Sequence, residues 1–114
     1  MVVKPSRGEV WHTDLEPVEG HEQGMARPCV VLSADIYNHG PSQMVCIAPI
    51  TRTKRPIPLH VPIDPPEGGV TSPGVILCDQ IRTVSVTRLG RWGDLDNETM
   101  DEVEDRVKIF LDLK

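Results

Sequence analysis

The stretch EPVEGHEQGMARPCVVLS, Glu16–Ser33, decides how this chain is read. A polar segment broken by two glycines runs straight into the apolar residues Cys29–Leu32, with an arginine and a proline at the junction. Valine is stiff about χ1 and fits a pleated, half-buried surface, so PCVVLS reads as a β-strand. Pro28 biases Arg27 toward extended backbone angles, which aims the arginine from a strand end.

Working outward, GEVWHTDL, MVCIAPIT, LHVPI, GVILCDQIRTV and RLGRW are further short apolar runs bounded by turn formers. Together they predict a mainly β fold, a barrel or sandwich. The separators EPVEGHEQGMA and TKRPIP are polar or basic and read as working loops. DPPEGGVTSPG is so dense in Pro and Gly that regular structure is not expected there. The period changes at the C-terminus, where Met100, Val103, Val107, Phe110 and Leu111 fall at three- and four-residue steps along one helical face. Asp96 or Asn97 can cap that helix, Glu98, Asp101 and Glu102 suit its positive end, and its acid run reads as a solvated face. The helix is expected to close the β-core from one side.

With 114 residues the chain is expected to form one domain, 1–114, with no internal repeat. No apolar run has the length of a membrane span, and MVVKPSRGEVW lacks the apolar stretch of a signal peptide, so a cytoplasmic protein with no membrane partner is expected. Cys29, Cys46 and Cys78 are odd in number, widely spaced and set in apolar runs, which argues against disulfides or zinc and for buried free thiols. The net charge of −5 is uneven: from Gly90 onward eight acids face four bases, and before it nine face eight. A nearly neutral body carrying Arg52, Lys54 and Arg55 in TRTKRP can still present a local basic face.

Familiar catalytic signatures are missing: no Gly-x-Gly-x-x-Gly, no Walker lysine, no His-Glu-x-x-His, no Gly-x-Ser-x-Gly. His12, His21, His39 and His60 share no metal-ligand spacing, so neither a metal nor a cofactor is expected. His12 and His60 fall inside strands and read as packed or hydrogen-bonded rings, and Asp79 as a loop anchor or an arginine's partner. Three polar clusters remain at strand ends: His21–Arg27, Thr51–Arg55 and Asp79–Arg82. Arg27 offers a planar fork of donors that matches phosphate oxygens, and Thr51 a hydroxyl for the same group. By itself Arg27 is equally compatible with a surface salt bridge to Glu22.

The order RGEVWHTDLEPVEGHEQGMARPCVVLS, CIAPIT, GVILCDQIRTV and an acidic C-terminal helix resembles the MazF/PemK family of toxin endoribonucleases over nearly the whole chain. The Gly-x-Val-Trp start and the Glu-Gln-Gly-x-x-Arg-Pro block are its specific motifs, and DQIRT lies where the family has it. The resemblance implies a small SH3-like β-barrel of the MazF/PemK/CcdB type with a C-terminal helix, assembled as a homodimer. It implies metal-independent cleavage of single-stranded RNA, usually mRNA at a short sequence, held in check by a cognate MazE-like antitoxin peptide. The family's arginine matches Arg27, its threonine matches Thr51, and its first active-site loop matches Glu22, Gln23 and Gly24. His21 departs from the pattern, standing where many relatives have serine.

RNA carries its own nucleophile, the 2′-hydroxyl, so an enzyme need only align it, stabilise the added charge and move two protons. Arginine, with an ordinary pKa above about 12, is a poor base, whereas His21 titrates near neutrality and Glu22 is adjacent. Base choice is assigned to loops that grip unstacked single strands: His21–Met25, Arg52–Arg55, and Gln80 with Arg82. With four aromatic residues in the chain, Trp11 and Trp92 are assigned to the core or a dimer interface rather than to stacking. Two other readings stay open, a non-catalytic SH3-like binding module and a CcdB-type toxin that acts on DNA gyrase.

Overall fold

The computed structural model describes residues 4–13, 27–53 and 57–114. Among the described residues there are seven strands: β1 (Glu9–Thr13), β2 (Arg27–Val31), β3 (Met44–Thr51), β4 (His60–Ile63), β5 (Gly74–Leu77), β6 (Arg82–Ser85) and β7 (Leu89–Asp94). One helical turn, α1 (Asp35–Asn38), follows β2, and a fifteen-residue helix, α2 (Asn97–Leu111), follows β7. All strand pairs are antiparallel, in the spatial order β4-β5-β3-β2-β1-β7, with β6 also on β3. The result is a mainly β, curled sheet with a C-terminal helix. Among the described residues no helix is long and apolar enough to cross a membrane.

The curl is built on β3. One of its edges pairs with β2, while the other is shared by β6 along Met44–Ile47 and by β5 at Ile50 and Thr51. Ile50 faces Ile76 but Ile47 faces Arg82, so the chain loops out between the two pairings. GVILCDQIRTV is therefore two strands and not one. The loop closes with the Gln80 N–H donating to the Leu77 carbonyl at 3.0 Å.

Side chains alternate across a strand, and β1–β3 use both faces. Val10, Val30, Ala48 and Ile50 join Val61, Ile63, Ile76 and Leu95 in one cluster. Trp11, Cys29, Val31, Val45 and Ile47 join Val84 and Val86 in another. The central strands are covered on both sides, which explains why they read as near-continuous apolar runs.

Helix α2 caps the first cluster by inserting Val103, fully buried, with Met100 and Val107 against it. Burying a side chain of this size is worth about 1.5–3 kcal/mol. Phe110 and Leu111, expected on the same buried face, are 43% and 45% exposed, because the helix runs past the edge of the cluster. Asp96 takes the N-cap position with extended angles but makes no side-chain cap bond; its N–H donates to Glu67 Oε2 at 2.9 Å. The Glu67 carboxylate thus ties the start of α2 to the preceding Pro/Gly segment. That segment, expected to be irregular, contains a one-turn 3-10 helix, Glu67–Gly69.

Candidate active site

The β2–β3 register pairs Cys29 with Pro49 and Val30 with Ala48. Continued by two residues, it sets Arg27, the first residue of β2, opposite Thr51, the last of β3. Thr51 is in turn paired with Val75 on β5, which holds its backbone on that side. A Cβ on Gly74 would lie 2.5 Å from the Thr51 carbonyl oxygen; only glycine lets β5 start this close.

Arg27 and Thr51 line one cavity of about 380 Å³. Arg52, Thr71 and Ser72 add polar groups, and Pro28, Ile50, Val70 and Trp92 add apolar wall. Arg27 and Arg52 are exposed and Thr51 is half-buried. Among the described residues no carboxylate is paired with either arginine. Thr51 Oγ1 accepts the Thr53 N–H at 3.3 Å, which leaves the hydroxyl proton free to donate elsewhere. A hydroxyl and a guanidinium lining one cavity are two kinds of donor that phosphate oxygens can accept from.

Other candidates fall elsewhere. Gln80, in the loop between β5 and β6, and Arg82, which opens β6, are exposed and do not line the cavity. His21, Glu22, Gln23, Gly24, Lys54 and Arg55 lie outside the described residues. Asp79 Oδ1 accepts from His60 Nε2 at 3.0 Å, so its partner is a histidine and not an arginine, and among the described residues the buried His60 Nδ1 has no partner. Cys29 and Cys78 are buried free thiols, with Cys46 partly covered. Burial pushes the Cys29 thiol up to about 12 and Cys78 to about 11, and raises Cys46.

Thr71, Ser72 and Trp92 line the cavity without having been singled out by the sequence. The first two were hidden in DPPEGGVTSPG, where composition speaks only of irregular backbone. Trp92 belongs neither to the core nor to a buried surface of this chain: it is 38% exposed and lines the cavity, while Trp11, 7% exposed, is the core tryptophan. The one available signal was the pair of glycines flanking it in GRWG, since glycine inside a strand pattern marks a bulge.

A small curled antiparallel sheet with a C-terminal helix, and an arginine and a threonine at facing strand ends, define the class. Residues 6–111 match the family model of the PemK-like, MazF-like toxin of type II toxin-antitoxin system, and the chain belongs to this family of endoribonuclease toxins. It is 41% identical over 115 residues to Endoribonuclease EndoA of Bacillus subtilis (strain 168), covering 99% of this chain and 97% of that one. Its fold superposes on MazF in a MazE-MazF crystal structure from Deinococcus radiodurans with a TM-score of 0.82 and 27% identity, over 97% of this chain and 98% of that one. An endoribonuclease in complex with its cognate antitoxin, from Mycobacterial species, matches with a TM-score of 0.79 and 28% identity, over 96% and 97% of the two chains.

Proposed function

We propose that this toxin cleaves single-stranded RNA, mRNA included, by attack of the RNA's own 2′-hydroxyl on the adjacent phosphorus, without a metal ion. The observation that carries the reading is the meeting of Arg27 and Thr51 at facing ends of β2 and β3, on one cavity with Arg52. The guanidinium holds the non-bridging phosphate oxygens as charge builds on them, and Thr51 adds a neutral hydrogen bond. The new bond joins O2′ to phosphorus; the bond to O5′ breaks. The proton of the 2′-hydroxyl leaves to a base, for which His21 is the candidate with Glu22 beside it, and the departing O5′ is protonated by Arg27 or water. The products are a 2′,3′-cyclic phosphate and a 5′-hydroxyl.

Two further features belong to the same reading. The toxin works in the cytoplasm as a homodimer, and an acidic segment of a MazE-like antitoxin pairs with the basic residues Arg27, Arg52, Lys54 and Arg55. The relatives solved with their antitoxins support this part. Single-turnover cleavage by Arg27→Ala and Thr51→Ala tests the site: each is expected to lose at least about 10²-fold in rate, the usual worth of one preorganised donor, with an unchanged thermal melt. Either variant, folded and cutting at the wild-type rate, removes its residue from the mechanism.

A further inference from the structure

The cavity has an aromatic wall that phosphate chemistry does not need. Val10 pairs with Gly93, while the next residue of β1, Trp11, pairs with Arg91, so Trp92 is left over as the bulged residue of β7. A bulge re-aims a side chain, and this one delivers an indole to the cavity that holds Arg27 and Thr51. The ring is braced: His12 packs on it with centroids 5.8 Å apart and planes tilted by 41°, within the range of favourable aromatic pairs. Gly90 makes the brace possible, since a Cβ there would lie 2.2 Å from His12 Nε2.

The residue before it is committed elsewhere. Arg91 donates to Glu9 at 3.1 Å and to Asp94 at 2.8 Å, and those hydrogen bonds raise its pKa further. What β7 offers the cavity is therefore a π-face and not a charge. Thr71 and Ser72 bring hydroxyls to the same space, able to donate or accept. A π-face, small hydroxyls and a guanidinium in one cavity of about 380 Å³ match three surfaces of a nucleotide: the face of its base, the edge of its base and its phosphate.

We propose that Trp92 is a stacking platform for the nucleobase next to the scissile phosphate, and that it fixes that nucleotide while Arg27 and Thr51 act on the phosphate. The inference rests on the RNA-cleaving reading. Stacking of this kind depends on the π-face and tolerates different bases, so Trp92 contributes affinity; choice among bases falls to hydrogen-bonding groups such as Thr71 and Ser72.

The test uses the full-length protein and a short RNA spanning a cut site mapped on long RNA, made uncleavable by a 2′-deoxy sugar at the cut. Removing one base at a time should weaken wild-type binding about 5- to 150-fold at one position beside the cut, the span of single-base stacking. Trp92→Ala should bind the intact RNA more weakly by the same factor and lose nothing more when that base is removed. Trp92→Phe should keep most of the affinity, which separates stacking from a damaged fold. Because Trp11 is buried, the change in tryptophan emission on binding should disappear in Trp92→Phe. On cleavable RNA, Trp92→Ala should raise KM by a similar factor with kcat nearly unchanged, the signature of uniform binding. The proposal is overturned if Trp92→Ala binds within twofold of wild type, or if its losses and those of base removal simply multiply. Should wild-type protein cut RNA while Trp92→Ala is unaffected, only the stacking role fails; should it neither bind nor cut RNA, the RNA-cleaving reading fails and this one with it.

Discussion

Gly74→Ala probes how the fold holds the site without removing any side chain that would meet the substrate. The new Cβ would lie 2.5 Å from the Thr51 carbonyl oxygen and 3.3 Å from its carbon. Reaching the 3.4 Å of ordinary contact requires the oxygen and β5 to separate by about 0.9 Å. Both partners are backbone, so no rotamer change relieves the clash. The Thr51–Val75 pairing has to loosen, at a cost of about 1–3 kcal/mol, as for overpacking elsewhere. The same shift moves Thr51 relative to Arg27 by a sizeable fraction of the displacement that costs about 10²-fold in rate when reacting groups are misplaced by 1 Å. The expected result is a folded protein, lower in Tm by several degrees, whose single-turnover cleavage falls between about 10- and 100-fold. Circular dichroism melts and quenched-flow cleavage of a short RNA measure the two effects. A Gly74→Ala protein with wild-type Tm and wild-type rate would refute the argument that β5 positions Thr51.

The thiols give a second expectation: at pH 8 iodoacetamide should label native Cys46 ahead of Cys29 and Cys78, whose pKa values burial pushes up to about 12 and 11, whereas urea-unfolded protein should label at all three. Intact-mass analysis reads this out, and native Cys29 reacting first would contradict it. Because these thiols are harder to ionise when folded, their contribution to stability is whole below the unfolded value of 9.0 and is lost as pH rises through about 11 to 12; melts should therefore fall across that range. For His21→Ser, the pH–rate limb expected near about 6.5 should disappear and cleavage slow by roughly 10²–10⁴, the worth of a positioned base. An unchanged profile assigns the proton to another acceptor.

The elements that could be read from the sequence are those whose signal is local. MVCIAPIT coincides with β3, and the spacing of Met100, Val103 and Val107 marks the buried stripe of α2. Arg27 and Thr51 were visible because each bounds an apolar run, Arg27 at its start and Thr51 at its end, where a polar side chain is left on a rigid base. What could not be read depends on partners distant in sequence. The break in GVILCDQIRTV exists because β3 receives β5 and β6 at offset registers, and neither register is written in the run itself. Trp92 is bulged only by reference to β1. Thr71 and Ser72 reach the cavity because the 3-10 turn and the Glu67 bond to Asp96 fold their segment back, which composition cannot express. Phe110 and Leu111 keep the helical spacing of core residues but lie where the core has ended.

A toxin that cuts RNA with its own side chains and the RNA's own nucleophile, as proposed above, keeps its activity when every metal ion is removed. The most direct measurement is incubation of the purified protein with long RNA in excess EDTA, followed by mapping and chemical typing of the new ends. The expected result is cleavage at a recurring short sequence, upstream fragments ending in 2′,3′-cyclic phosphate, downstream fragments beginning with 5′-hydroxyl, and no such cuts with Arg27→Ala. Cleavage that stops in EDTA and returns with added magnesium, or that leaves 5′-phosphate ends, would contradict it.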